Sequence, residues 1–137
     1  MRIVLDANIV IAALLGSETA LKIIISQKHQ FYAPHKIIDE IKKYKQYICG
    51  KAGQTAEEFH INFEALLIFI KVLDYAEYEA YTEKAKAAIA ERDWNDTDYI
   101  ACALAASADF IWSNDKDFTS QKLIPIKTTE QLVKEMD

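Results

Sequence analysis

The chain has 137 residues, 51% hydrophobic and 27% charged, with three glycines and two prolines. A chain of this size hides roughly 68–70% of its unfolded surface, enough for one core and a single domain over 1–137. So little Gly and Pro excludes collagen-like, linker-rich and disordered classes, and a net charge of −5 argues against nucleic-acid binding through a general excess of Lys and Arg.

Residues 2–6 form a β-branched run ending on a carboxylate, which reads as a buried strand. A short helix over 8–15 follows, closed near Gly16, and Ser17 with Glu18 marks the start of a helix to about 28. A strand is predicted over 30–33, and Pro34 suits the first turn of the next helix, which carries Ile37, Ile38 and Ile41. Residues 50–53 read as a break. Thr55 with Glu58 then forms a capping box that opens a helix through Phe59, Phe63, Leu66 and Leu67. A strand over 70–73, a long helix over 75–91 and a polar turn over 92–95 follow. Asp96 starts an alanine-rich helix running to 108, and 110–112 is a buried strand. A last strand is expected over 123–126, with Thr128 and Gln131 capping a terminal helix. Strands alternating with helices predict an α/β domain with a mostly parallel sheet.

The longest apolar runs, 9–15 and 65–70, fall far short of the ~20 residues a membrane helix needs. The opening six residues reach Asp6 too early for a signal peptide. Cys49 and Cys102 are too few for a disulfide framework and lack zinc-ligand spacing. These features predict a soluble, cytoplasmic protein with reduced thiols and no membrane contact.

Charge is unevenly placed. Residues 20–54 hold seven lysines and two acids, whereas 74–117 hold eleven acids against three Lys and one Arg. In open α/β sheets ligands bind beyond the carboxyl ends of strands. Asp6 ends the first strand, Asp115 follows the 110–112 strand, Asp96 and Asp98 lie at a helix start, and Glu40 lies on the helix after the second strand. Several carboxylates in one place repel, and burying them unpaired is costly. An oxygen-only donor set favours Mg²⁺ or Mn²⁺ over Zn²⁺, and such an ion can orient water and stabilise charge on a phosphate.

Taken together, LDANIVIAALL at 5–15, Pro34 followed by Glu40, NDTDYIACALAASADFIWSNDKDF at 95–118 and the closing LIPIKTTEQL resemble the PIN-domain nucleases. The resemblance implies a three-layer α/β/α sandwich around a parallel sheet and a Mg²⁺- or Mn²⁺-dependent endoribonuclease. It assigns the catalytic acids to Asp6, Glu40, Asp96 and Asp115, with metal held by Asp6, Asp96 and Asp115. Asp98 competes with Asp96 for the third position, and Asp117 is a further metal candidate. Asn8, Ser113 and Asn114 take supporting places. Small PIN domains of this size are often VapC-type toxins held in check by an antitoxin, which implies an RNA substrate, an antitoxin partner and a homodimer. An RNA-processing nuclease and a catalytically silent RNA-binding module are the alternatives.

Lys36, Lys42 and Lys43 are candidate contacts to the RNA backbone, against the plainer reading of a solvated face. His29, His35 and His60 lack the spacing of a zinc site, and Cys102 reads as a small core residue. Tyr75, Tyr78 and Tyr81 fall on one helical stripe, read as core packing. The apolar 55–69 helix suits the core or a partner surface. A phosphoacceptor domain is a reading from another class, for which Asp74 is the only acceptor candidate.

Overall fold

The computed structural model describes residues 1–89, 95–115, 118 and 121–136. Five strands, β1 (Arg2–Leu5), β2 (Gln30–Pro34), β3 (Ile70–Leu73), β4 (Phe110–Trp112) and β5 (Ile126–Lys127), form one sheet in the order β3-β2-β1-β4-β5. Every neighbouring pair is parallel. The central strands read as continuous apolar runs because helices cover both their faces. Ile3, Val4, Leu5, Phe110, Ile111 and Trp112 are all buried.

The helices are α1 (Ala7–Leu14), α2 (Glu18–Ile25), α3 (Lys36–Lys43), α4 (Lys45–Ala52), α5 (Ala56–Leu67), α6 (Tyr75–Tyr78), α7 (Thr82–Ala88), α8 (Thr97–Ala105) and α9 (Thr129–Met136). α8 lies against β1, β2 and β4 and carries α6 and α7, while α1 gathers α2, α3, α4 and α5 into a second group. The sheet between them makes the three-layer α/β/α sandwich. The helix starts follow their capping residues. Ser17 Oγ accepts the Ala20 N–H at 3.3 Å, and the Thr55–Glu58 box closes with bonds of 3.0 and 3.1 Å. The Thr128–Gln131 pair does the same for α9 at 2.9 and 3.2 Å.

Five local expectations are corrected. Pro34 ends β2 instead of opening a helix: His35 N–H bonds Leu73 O on the β3 side. The Pro34 nitrogen therefore faces the β1 side, where pairing has already ended at Tyr32. Gly50 stays inside α4, and the helix stops at Gly53, whose φ of +66° is the left-handed cap that glycine adopts without strain. The helix expected over 75–91 is, in its described part up to 89, three pieces: α6, a 3₁₀ turn over Glu79–Tyr81 and α7. The Asp74–Glu77 capping box starts the first piece, and Thr82 Oγ1 bonds Glu79 O at 2.8 Å inside the break. The tyrosine stripe is thereby split: Tyr78 is core, whereas Tyr75 and Tyr81 are exposed. The last strand starts later than expected and is only two residues long. Most of the turn predicted over 92–95 lies outside the described residues.

The buried Cys102 thiol is pushed up to about 12 by burial, and behaves as a core residue. Among the described residues no single helix is long and apolar enough to cross a membrane. The two most apolar, α1 and α2, bend by 111° relative to each other.

Candidate active site

The chain builds β1, β2 and β3 outward on one side, then returns to place β4 and β5 on the other. The reversal lies between β1 and β4, where a crevice opens at the carboxyl ends of the strands. Leu5 stands opposite Trp112, so the next residues, Asp6 and Ser113, leave the sheet side by side. Asp6 N–H bonds Trp112 O at 3.1 Å. Ser113 Oγ donates to Asp6 Oδ2 at 2.8 Å and accepts the Asp115 N–H at 3.0 Å. One serine hydroxyl thus links both acids.

Asp6 is only 7% exposed. Burial pushes its carboxyl above the ordinary aspartate range, Ser113 and the Asn8 main-chain N–H pull it down, and the charges of Asp115 and Glu40 push it up again. Asn8 acts on Asp6 through its backbone, and its own side chain faces solvent.

Glu40 comes from α3, the helix after β2, and Asp96 from the N-cap position of α8, where a negative charge suits the helix dipole. Asp6, Glu40 and Asp96 line one cleft of about 360 Å³, together with Tyr99, Lys36 and Lys43. Tyr99 Oη donates to Glu40 Oε2 at 3.1 Å. Burial first, then the charges of Glu40 and Asp6, keep that phenol protonated by raising it far above its ordinary value. Lys36 Nζ lies 3.5 Å from Glu40 Oε1. Both oxygens of Glu40 therefore face a donor from this chain.

Asp98 sits two residues beyond Asp96, roughly 200° around the helix, and its Oδ2 accepts the Tyr78 hydroxyl at 2.6 Å. It is not among the residues lining the cleft. Asn114 turns toward α9: its Oδ1 accepts the Thr129 N–H at 2.9 Å and its Nδ2 donates to Thr129 Oγ1 at 3.1 Å. Lys42 is exposed and also outside the cleft lining. Asp117 lies outside the described residues.

Asp6, Glu40, Asp96 and Asp115 offer oxygen donors alone, and the raised Asp6 carboxyl marks negative charge that burial leaves poorly compensated. They fit a hard divalent cation in donor type and in charge. Among the described residues no group of three His, Cys, Asp or Glu side chains is already closed around one point; Asp6, Glu40 and Asp96 share the cleft, and Asp115, outside its lining, reaches Asp6 through Ser113. The residue that sequence reasoning missed is Tyr99. It lies three positions after Asp96 on the same helix face, and a hydroxyl on an otherwise apolar, buried segment needs a partner.

A parallel α/β/α domain with carboxylates gathered at the switch between β1 and β4 defines the class. The family model described as PIN domain matches residues 4–137, and the chain belongs to that family, a family of nucleases. Among solved structures the fold is similar to VapBC2 from Rickettsia felis bound to a DNA fragment from its promoter. The TM-score is 0.70 at 15% identity, over 93% of this chain and 98% of that one. It is also similar to PAE2754 from Pyrobaculum aerophilum, with a TM-score of 0.65 at 15% identity, over 99% of this chain and 89% of that one. No curated protein sequence matches the chain.

Proposed function

We propose that this protein is a metal-dependent endoribonuclease, a single nuclease domain over 1–137 that acts in the cytoplasm as the toxin of a toxin–antitoxin pair. The observation that carries the reading is the cleft shared by Asp6, Glu40 and Asp96 at the sheet's switch point, with Asp115 tied to Asp6 through Ser113. Asp6, Asp96 and Asp115 would hold Mg²⁺ or Mn²⁺, with Asp98 and Asp117 as the remaining candidates. When bound, the ion supplies positive charge against the phosphate and makes water a better nucleophile. Ser113 holds one oxygen of the Asp6 carboxylate by its hydrogen bond. Glu40, steadied by Tyr99, takes the proton of the attacking water, which the ordering of its two oxygens favours. Lys36, Lys42 and Lys43, all on α3, give the neighbouring surface the positive charge an RNA backbone seeks. With the protein and a labelled single-stranded RNA, cleavage should require Mg²⁺ or Mn²⁺, stop in excess EDTA and return with added Mn²⁺. Cleavage that persists in EDTA would defeat the metal assignment.

The toxin role draws support from the VapBC2 likeness, and the partner we propose is an antitoxin that covers the acid cleft. We also propose a homodimer. On α5, Phe59, Phe63 and Leu66 face the core, but Ile61 in its middle and Ile68 just past its end are 62% and 82% exposed. Two large aliphatic side chains left in water favour a second apolar surface. Light scattering at micromolar concentration should give twice the 15.6 kDa chain mass; a single species at the chain mass would count against the dimer.

A further inference from the structure

Helix first turns favour acidic residues, and in i,i+4 ion pairs Glu before Lys is better than Lys before Glu. Lys36, the first residue of α3, goes against both rules, with Glu40 four positions later, whereas Asp39 in the same first turn and Lys42 and Lys43 in the last turn follow the first. The ammonium is nonetheless held on three sides. It donates to the Asn95 main-chain carbonyl, faces Glu40 Oε1 at 3.5 Å and lies 5.5 Å from the centre of the Tyr99 ring. Both side chains are partly open to water, 28% for Lys36 and 33% for Glu40. Asp6 and Asp96 line the same cleft. Of the two lysines lining this acid cleft, Lys36 and Lys43, Lys36 is thus the one paired with Glu40, at a helix position that local energetics disfavour.

We propose that Lys36 is an exchangeable counter-cation of this cleft: it pairs with Glu40 while no divalent ion is present, and when one binds it leaves Glu40 and takes a phosphate oxygen of the RNA. The inference rests on the metal-nuclease reading above and adds how that site is regulated. The side-chain chemistry suits an exchange. Lysine carries a compact charge on a flexible four-carbon stem, so it can change partner without moving the helix. Glu40 does not lose its orientation when Lys36 departs, because the Tyr99 hydroxyl holds its other oxygen. A divalent ion held by Asp6, Asp96 and Asp115 would add positive charge beside the cleft that Lys36 lines and repel its ammonium. The nearest new source of negative charge is the substrate's own phosphate.

The exchange predicts opposite signs for two ligands, which a merely structural ion pair does not. Lys36→Met should bind Mn²⁺ about 5-fold tighter or more in RNA-free calorimetry, because a competing cation has gone. The same change, with Asp6 kept so that Mn²⁺ still binds, should weaken binding of a fluorescein-labelled single-stranded RNA in Mn²⁺, read by stopped-flow fluorescence anisotropy before cleavage accumulates. It should also lower the salt slope by about one, and Lys36→Arg should restore the RNA affinity. Lys36→Gln serves as a second variant, with thermal unfolding as the control for folding. Mn²⁺ affinity unchanged or reduced in both neutral variants would overturn the proposal, as would RNA affinity that does not fall. Neither readout depends on cleavage, so a chain that cuts no RNA would sink the nuclease reading while the calorimetry still decides the role of Lys36.

Discussion

Asp6→Asn is expected to lower RNA cleavage by roughly 10²–10³-fold or more while leaving the fold intact. The amide has the shape of the carboxylate, so its oxygen can still accept the Ser113 hydroxyl now at 2.8 Å. What it loses is the charge that would bind a metal. The stability consequence runs the other way. Burial raises the Asp6 carboxyl above its ordinary value of 3.8 in the folded chain. A folded-state value above the unfolded one means that the native state holds the proton more tightly. The resulting stabilisation is fully present below the unfolded value and is lost as pH rises through the folded one. In EDTA at pH 7 the variant should therefore match or exceed the parent in urea midpoint, and show less decline between pH 4 and 7. Full Mg²⁺-dependent cleavage by Asp6→Asn would remove Asp6 from the mechanism. A variant that unfolds would remove the account of its environment.

Trp112→Ala is expected to cost about 3–5 kcal/mol, a large share of the roughly 5–15 kcal/mol that holds a domain together. Trp112 is fully buried in β4, packs against Phe31 with ring centres 6.1 Å apart, and donates its indole N–H to Thr129 Oγ1 at 2.9 Å. Truncation leaves a cavity between the sheet and its cover and takes one partner from the residue that begins α9. It also loosens the strand that delivers Ser113 and Asp115. Trp112→Phe keeps most of the ring and forfeits the hydrogen bond, so its loss should be nearer 1 kcal/mol. Urea titrations of the two variants measure the difference. A cost below about 1.5 kcal/mol for the alanine change would mean that β4 is not the keystone of the core.

The sequence foretold those features whose cause is local. Ile3–Val4–Leu5 and Phe110–Ile111–Trp112 read as buried strands because both faces of a covered parallel strand are apolar. Ser17, Thr55 and Thr128 announce their helices because a cap acts within three residues. Pro34 misled because its usual place in a first helical turn competes with a place at a strand end, and only the register with β1 and β3 decides between them. The 75–91 segment misled because alanine-rich composition conceals a 3₁₀ turn. At the site, positions of acids at strand ends were legible, but their partners were not. That Asp98 turns to Tyr78 while Asp96 lines the cleft depends on which side of α8 faces α6. That Lys36 points among acids depends on Asn95 and Tyr99, some sixty residues away in the chain.

The pairing of β1 with β4 carries a consequence for when the cleft comes into being. β1 is made well before its neighbour on one side, with more than a hundred residues between it and β4. Until Phe110–Trp112 is available, one edge of β1 has no partner and Asp6 has no serine beside it. Contacts this remote form late and slow folding. The nascent chain can fold α1 to α5 around β1, β2 and β3 and still lack a finished site. The acid cleft is thereby finished only once β4 has been made, more than a hundred residues after the strand that Asp6 follows.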